Sequence, residues 1–183
     1  MTSIAPRTAA AASLAAAPVL LLTAVLQLAH EQSSESTTVG IEHLTLACLT
    51  ALLALMAPVT LHLGQRAGAG AARIALVPAA GTLVLAALTV FSNVRGSDPA
   101  FFDAVAGITN LMWFGGWIAL AVATARAKAL PRALAIGLPL LWIAAIPGSM
   151  IGLGVLGAAY CAVLARTLAP VHDNAPAFLI PAR

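Results

Sequence analysis

From Thr8 to Ala29 the chain carries no charged residue, and five more apolar runs follow, at about 42–64, 74–95, 99–125, 131–147 and 149–165. Some 20 consecutive apolar residues are what an α-helix needs to cross a bilayer, with a lower limit of roughly 17. A hydrocarbon environment leaves only helices and closed barrels as ways to satisfy the backbone. Runs of this length select helices. The segments between them carry the charge, and they carry it unevenly. Of nine Lys and Arg residues, only Arg95 falls outside the set of tails and loops that a six-span path places on one side. Of six Asp and Glu residues, only Asp173 falls on that side. Basic loops stay cytoplasmic. The expectation is an all-α polytopic bundle of six transmembrane helices with both termini inside, in the inner (plasma) membrane.

Composition agrees. Hydrophobic residues make up 61% of the chain and charged ones 8%, against roughly 25% charged in a soluble domain. A water-facing surface cannot be built from so few charges. The basic residues are dispersed over loops and tails without interleaved aromatic residues, so a nucleic-acid partner is not expected. The first run is longer than the roughly 7–15 residues of a signal-peptide core and lacks a small-x-small site before His30, so it reads as a retained helix. Residues 1–166 form one membrane domain. The tail 167–183 carries Pro170, Pro176 and Pro181 and reads as irregular.

Some boundaries carry local signals. Gly96 suits the residue that ends a helix in the left-handed region. Asp98-Pro99 resembles an N-cap followed by proline at the first helical position, which would start the fourth helix there. Gly148-Ser149 would turn the chain from the fifth span into the sixth. These last two spans are short enough that a re-entrant hairpin is the alternative.

Polar side chains recur at helical spacing in the outer halves of the first four spans. Gln27 follows Thr23; Glu42, Thr45 and Cys48 share a stripe; so do Thr82, Thr89 and Asn93; so do Asp103, Asn110, Trp113 and Trp117. Polar groups facing lipid are costly, so these stripes should turn inward. Two readings follow. Gln27, Asn93, Asn110, Trp113 and Trp117 line a ligand pocket open to the outside, or they hydrogen-bond and pack across helices. Trp113 and Trp117 lie mid-helix, where an interfacial aromatic belt does not explain them. Were the protein an enzyme, Glu42 or Asp103 would be its acid, since burial favours the protonated carboxyl and aromatic faces stabilise a cation.

His30, Glu31, Glu42 and His43 flank the first outer loop, but they lack the spacing of a metal motif and are expected to cap helix ends; no metal is predicted. Cys48 and Cys161 lie apart within apolar runs and read as free thiols. Nucleotide-binding and hydrolase motifs are absent, so no cofactor is expected. Gly148 and Gly152 form a GxxxG pair suited to a partner helix, in the chain or in an oligomer.

The start of the second span, Glu42-His43-Leu44 running to Ala57-Pro58, and the Leu140-to-Gly154 hairpin resemble a type of small six-helix integral membrane protein common in high-GC actinobacteria. The resemblance covers most of the chain. It implies the same six-span bundle and brings no functional residues with it. Function is therefore read from the pocket: binding or transport of a small, largely apolar molecule. The alternatives are an acid-initiated cyclase or isomerase acting on an isoprenoid or lipid, and a structural partner subunit.

Overall fold

The computed structural model describes residues 3–29 and 40–170. Among them the protein is all-helical: α1 (Pro6–Ala29), α2 (Ile41–Ala67), α3 (Ala69–Arg95), α4 (Phe102–Arg126), α5 (Arg132–Ala145) and α6 (Gly154–Leu168), with a 3-10 turn at Gly148–Ile151 before α6. The first four are long and apolar enough to cross a membrane. The last two have 14 and 15 residues, or about 21 and 22 Å at 1.5 Å per residue, short of a hydrocarbon core of about 30 Å.

Each helix packs on its neighbours in sequence, and α6 returns to α1, so the six close into a ring with α2 also touching α4. Neighbouring helices run antiparallel. Gly154 sits against Ala24 and Gly157 against Leu20, while the Ser13 hydroxyl donates to the Cys161 carbonyl at 2.8 Å. Thr50 meets Thr89, Gly116 meets Pro78, Asn110 meets Trp142 and Tyr160 meets Gly137. Up-and-down order gathers Arg7, Arg66, Arg73, Arg126, Lys128, Arg132 and Arg166 at one end of the bundle, the basic end. Glu42, Arg95, Asp98 and Asp103 lie at the other.

Both faces of these helices are apolar. Trp113, Trp117, Leu20, Leu52, Leu53, Met56 and Leu120 fill the interior, while Leu21, Val25, Leu76, Val84, Leu111, Ile118 and Ile136 point outward and are exposed. A helix that is apolar all round belongs in a membrane or a large core, and a bundle of this size has no large core. This is a membrane protein by the chemistry of its surface.

Lipid tails are as apolar as leucine, so helices associate there through close packing rather than water exclusion. Glycine supplies the closeness. A β-carbon on Gly81 would lie 2.9 Å from the Thr109 carbonyl oxygen and 3.2 Å from the Trp113 backbone nitrogen. One on Gly116 would lie 2.6 Å from the Pro78 ring. At the basic end α2 also holds a segment from each side of the chain. The Ile4 N–H donates to Gln65 Oε1 at 2.8 Å, His62 Nδ1 donates to the Ile4 carbonyl at 2.9 Å, and Arg66 donates to the Thr167 carbonyl at 3.3 Å.

Several boundaries differ from the sequence expectation. The basic loop Gln65–Arg73 shrinks to Gly68 alone, because alanine-rich flanks extend both helices and Gly68 takes φ +111°, open to glycine and strained for other residues. Gly96 ends α3 at φ +72°, as expected. The fourth helix starts at Phe102, not at Asp98-Pro99. Residues 97–101 are used to reverse direction, with Phe102 N–H donating to the Pro99 carbonyl at 2.8 Å and Phe101 packed near Phe91. The sixth helix starts at Gly154, not 149, because Gly152 at φ +82° interrupts the chain after the 3-10 turn.

The glycine contacts can be tested by thermal unfolding in mild detergent. Gly81→Val should destabilise the protein by about 1–3 kcal/mol through overpacking against the α4 backbone. Gly115→Ala, where a β-carbon meets nothing within 4 Å, should instead leave stability unchanged or raise it by up to about 1 kcal/mol.

Candidate functional site

The two tryptophans lie one turn apart on the face of α4 that meets α2 and α3. Their rings contact edge to face, with centroids 5.4 Å apart and planes at 82°, a favoured aromatic geometry. Both are fully buried. The Trp117 indole N–H donates to Thr60 Oγ1 at 3.1 Å, and that hydroxyl donates in turn to the Met56 carbonyl at 2.8 Å. The Trp113 indole N–H is buried without a partner among the described residues. Gly81 and Pro78 of α3 bring backbone up to this stretch of α4. The pair is the packed centre of the bundle.

Several polar residues of these stripes are engaged across helix interfaces, α4–α5 in one case and α2–α3 in two. Asn110 accepts from the Trp142 indole N–H at 3.0 Å and donates to the Ala106 carbonyl at 2.9 Å, linking α4 to α5. Trp142 also packs on Phe114 with centroids 4.9 Å apart. Asn93 joins α3 to α2: its Oδ1 meets His43 Nδ1, and its Nδ2 donates to the His43 carbonyl at 3.2 Å. Thr50 and Thr89 share a 2.7 Å hydrogen bond between the same helices. Asn93 and Asn110 are thus each engaged with a neighbouring helix, one with α2 and the other with α5. Gln27 is half-buried, with Oε1 shielded and unpartnered among the described residues.

The carboxylates stand in the first turns of their helices. Glu42 is half-buried at the start of α2, and Asp103 is exposed at the start of α4. Negative charge is favourable at a helix N-terminus. Asp103 precedes Trp113 by ten residues, about 15 Å along the helix. Glu42 precedes Thr60, the partner of Trp117, by 18 residues, about 27 Å. Neither acid stands beside the tryptophans, so no acid-with-aromatic site is assembled there. No group of three or more His, Cys, Asp or Glu able to hold a metal occurs among the described residues. His30 and Glu31 lie outside them. Cys48 and Cys161 are buried free thiols.

The glycines of the last hairpin serve contacts within the chain. Gly148 is buried, with Ile143 and Leu153 around it, and Gly152 lies beside Leu28.

A cavity of about 310 Å³ opens between α5 and α6. Leu140, Ile143 and Ala144 line it from α5, and Leu156, Gly157 and Tyr160 from α6. Small residues on facing helices, Ala144 and Gly157, meet at the floor, and large ones form the rim: Leu140 and Leu156 are exposed. Tyr160 closes the basic end. Its ring lies on Gly137, and its hydroxyl donates to the Leu134 carbonyl at 2.7 Å. Its hydrogen-bonding capacity is thereby turned away from the cleft, leaving walls of hydrocarbon. Its volume falls at the lower end of small-molecule sites, roughly 300–1,000 Å³. Polar and aromatic stripes did not point to this cleft. Its signal in the sequence is the placing of Gly137, Ala144 and Gly157 in two short apolar helices.

No protein-family model, curated protein or solved structure matches this chain.

The Asn110–Trp142 link is open to a double-mutant cycle using Asn110→Ala and Trp142→Phe. The coupling energy from unfolding in detergent should be about 0.6 kcal/mol, the average for interhelical hydrogen bonds in a membrane bundle, and no more than about 1.7. Strict additivity would show that the two side chains do not support one another.

Proposed function

We propose that this protein is a six-span plasma-membrane protein, with both termini cytoplasmic, that binds a small, largely apolar molecule in the α5–α6 cleft. The cleft itself carries the reading: a cavity of about 310 Å³ with almost no polar lining, on the flank of a bundle whose two central tryptophans are fully buried. Apolar walls without directed donors suit a hydrocarbon ligand and offer nothing to a polar one. The sequence reading placed this binding on the tryptophan stripe of α4; the packing of Trp113 and Trp117 favours the cleft instead. An enzymatic role has less support, because Glu42 and Asp103 stand far along their helices from the aromatic pair.

The six-span path draws support from two features. Basic residues gather at one end of the bundle, as cytoplasmic segments do. Although α5 and α6 are short, the 3-10 turn extends their hairpin until a β-carbon on Gly152 would lie 3.5 Å from the Leu28 side chain, at the far end of α1. A hairpin of that reach supports two further spans rather than a shallow re-entrant turn.

Reporter fusions test the path. A phosphatase fused after Ser97 should be active, and one fused after Gly70 or Lys128 inactive. Activity at Lys128 with inactivity at Gly70 would overturn the six-span arrangement.

Photolabelling tests the ligand site. A diazirine-bearing long-chain alcohol added to purified protein should label Leu140, Ile143 and Leu156 well above the lipid-facing Leu111 and Ile118. Leu156→Trp, placed at the exposed rim, should fill the cleft and abolish the excess. Uniform labelling of all outward-facing residues would reject the site.

A further inference from the structure

The cleft does not stand alone on its flank. Five residues before Gly137, about 7.5 Å along the helix, α5 begins at Arg132. The chain reaches it from α4 through Arg126 and Lys128, and all three cations are exposed. Arg166, also exposed, lies at the same end on α6. The described carboxylates Glu42, Asp98 and Asp103 all sit at the opposite end, so none neutralises this group. An apolar cleft therefore runs along the helices beneath a concentrated positive field.

We propose that the occupant is an anionic glycerophospholipid of the leaflet at the basic end, one acyl chain in the α5–α6 cleft and its headgroup over Arg126, Lys128 and Arg132. The inference rests on the cleft reading above and names its ligand. The cavity holds on the order of ten groups of water or methylene size, a substantial part of one acyl chain. The cleft opens sideways between exposed Leu140 and Leu156, the direction from which a lipid enters. A headgroup phosphate at the interface is then within reach of the loop, where each nearby cation contributes about a five-fold preference for anionic lipid.

A second copy of the chain fits less well. Copies in one membrane share an orientation, and a two-fold axis through this face would set the two Arg126–Lys128–Arg132 loops side by side. Like charges would oppose the contact that the anionic lipid favours.

The test uses full-length protein in nanodiscs containing phosphatidylglycerol or phosphatidylcholine, each with a diazirine on one acyl chain. Labelled residues are read by mass spectrometry. Phosphatidylglycerol should label Leu140 and Leu156 more than phosphatidylcholine does. Arg126→Gln, Lys128→Gln and Arg132→Gln, combined stepwise, should reduce that advantage about five-fold per cation removed, with phosphatidylcholine labelling unchanged. Raising the salt should erode the advantage in the unaltered protein, a check that needs no variant. Equal labelling of the cleft by the two lipids would overturn the headgroup assignment while leaving the cleft reading intact. Labelling by neither above the level of Leu111 would overturn both. Cross-links from the cleft to a second copy in place of lipid would overturn the lipid assignment in favour of an oligomer.

Discussion

Contact between helices in this protein is made largely by residues without bulk, and the remaining features depend on that. In a bilayer no water is released when two apolar helices meet, so the gain comes from packing distance. Gly81 lets the α4 backbone approach α3, Gly116 receives the Pro78 ring, and Gly154 receives Ala24 and the Leu20 carbonyl. On α1 the buried face is Ala9, Ala12, Ser13, Ala16, Leu20, Thr23, Ala24 and Leu26, mostly small. The large side chains not needed between neighbours divide between the ring's centre, where Trp113 and Trp117 fill space, and the outer surface, where leucine and valine meet lipid.

Close packing also explains where the cleft lies. The α1–α2–α3–α4 side is built from long helices that meet through small residues, Gly64 against Ala75, Gly81 against Thr109 and Gly116 against Pro78. On the α5–α6 side the helices are shorter, and Tyr160 occupies the place against Gly137 that a closer helix would take. The large ring covers Gly137 at one end of the gap, and its hydroxyl, satisfied by the Leu134 carbonyl, adds no polarity there. One side chain thus closes an end of the space and keeps it apolar.

The outer polar residues carry a related lesson. Asn93 and Asn110 occupy stripes that a pocket would also require, and sequence periodicity shows only that such groups face inward. Whether inward means a shared cavity or a partner on the next helix depends on which side chain stands opposite. His43 stands opposite Asn93, and Trp142 opposite Asn110, 32 residues away in the chain. An amide satisfied by a neighbour has little left for a ligand. Helix boundaries behaved similarly: Gly96 ended its helix as its lack of a β-carbon predicts, whereas Asp98-Pro99, an equally plausible start, was overruled by the need to reverse direction before Phe102.

The sequence by itself determined the helical class, the apolar surface and the charged ends, because these follow from composition and from backbone hydrogen bonding in hydrocarbon, which act on each segment independently. Only the tertiary structure decided that Trp113 and Trp117 are core, that the asparagines are interhelical links, and that an apolar cleft lies between α5 and α6. Those outcomes depend on which faces of which helices meet. In a chain whose helices are apolar on every side, no hydrophobic stripe announces the partner, and the choice falls to the fit of small residues against large ones across the ring.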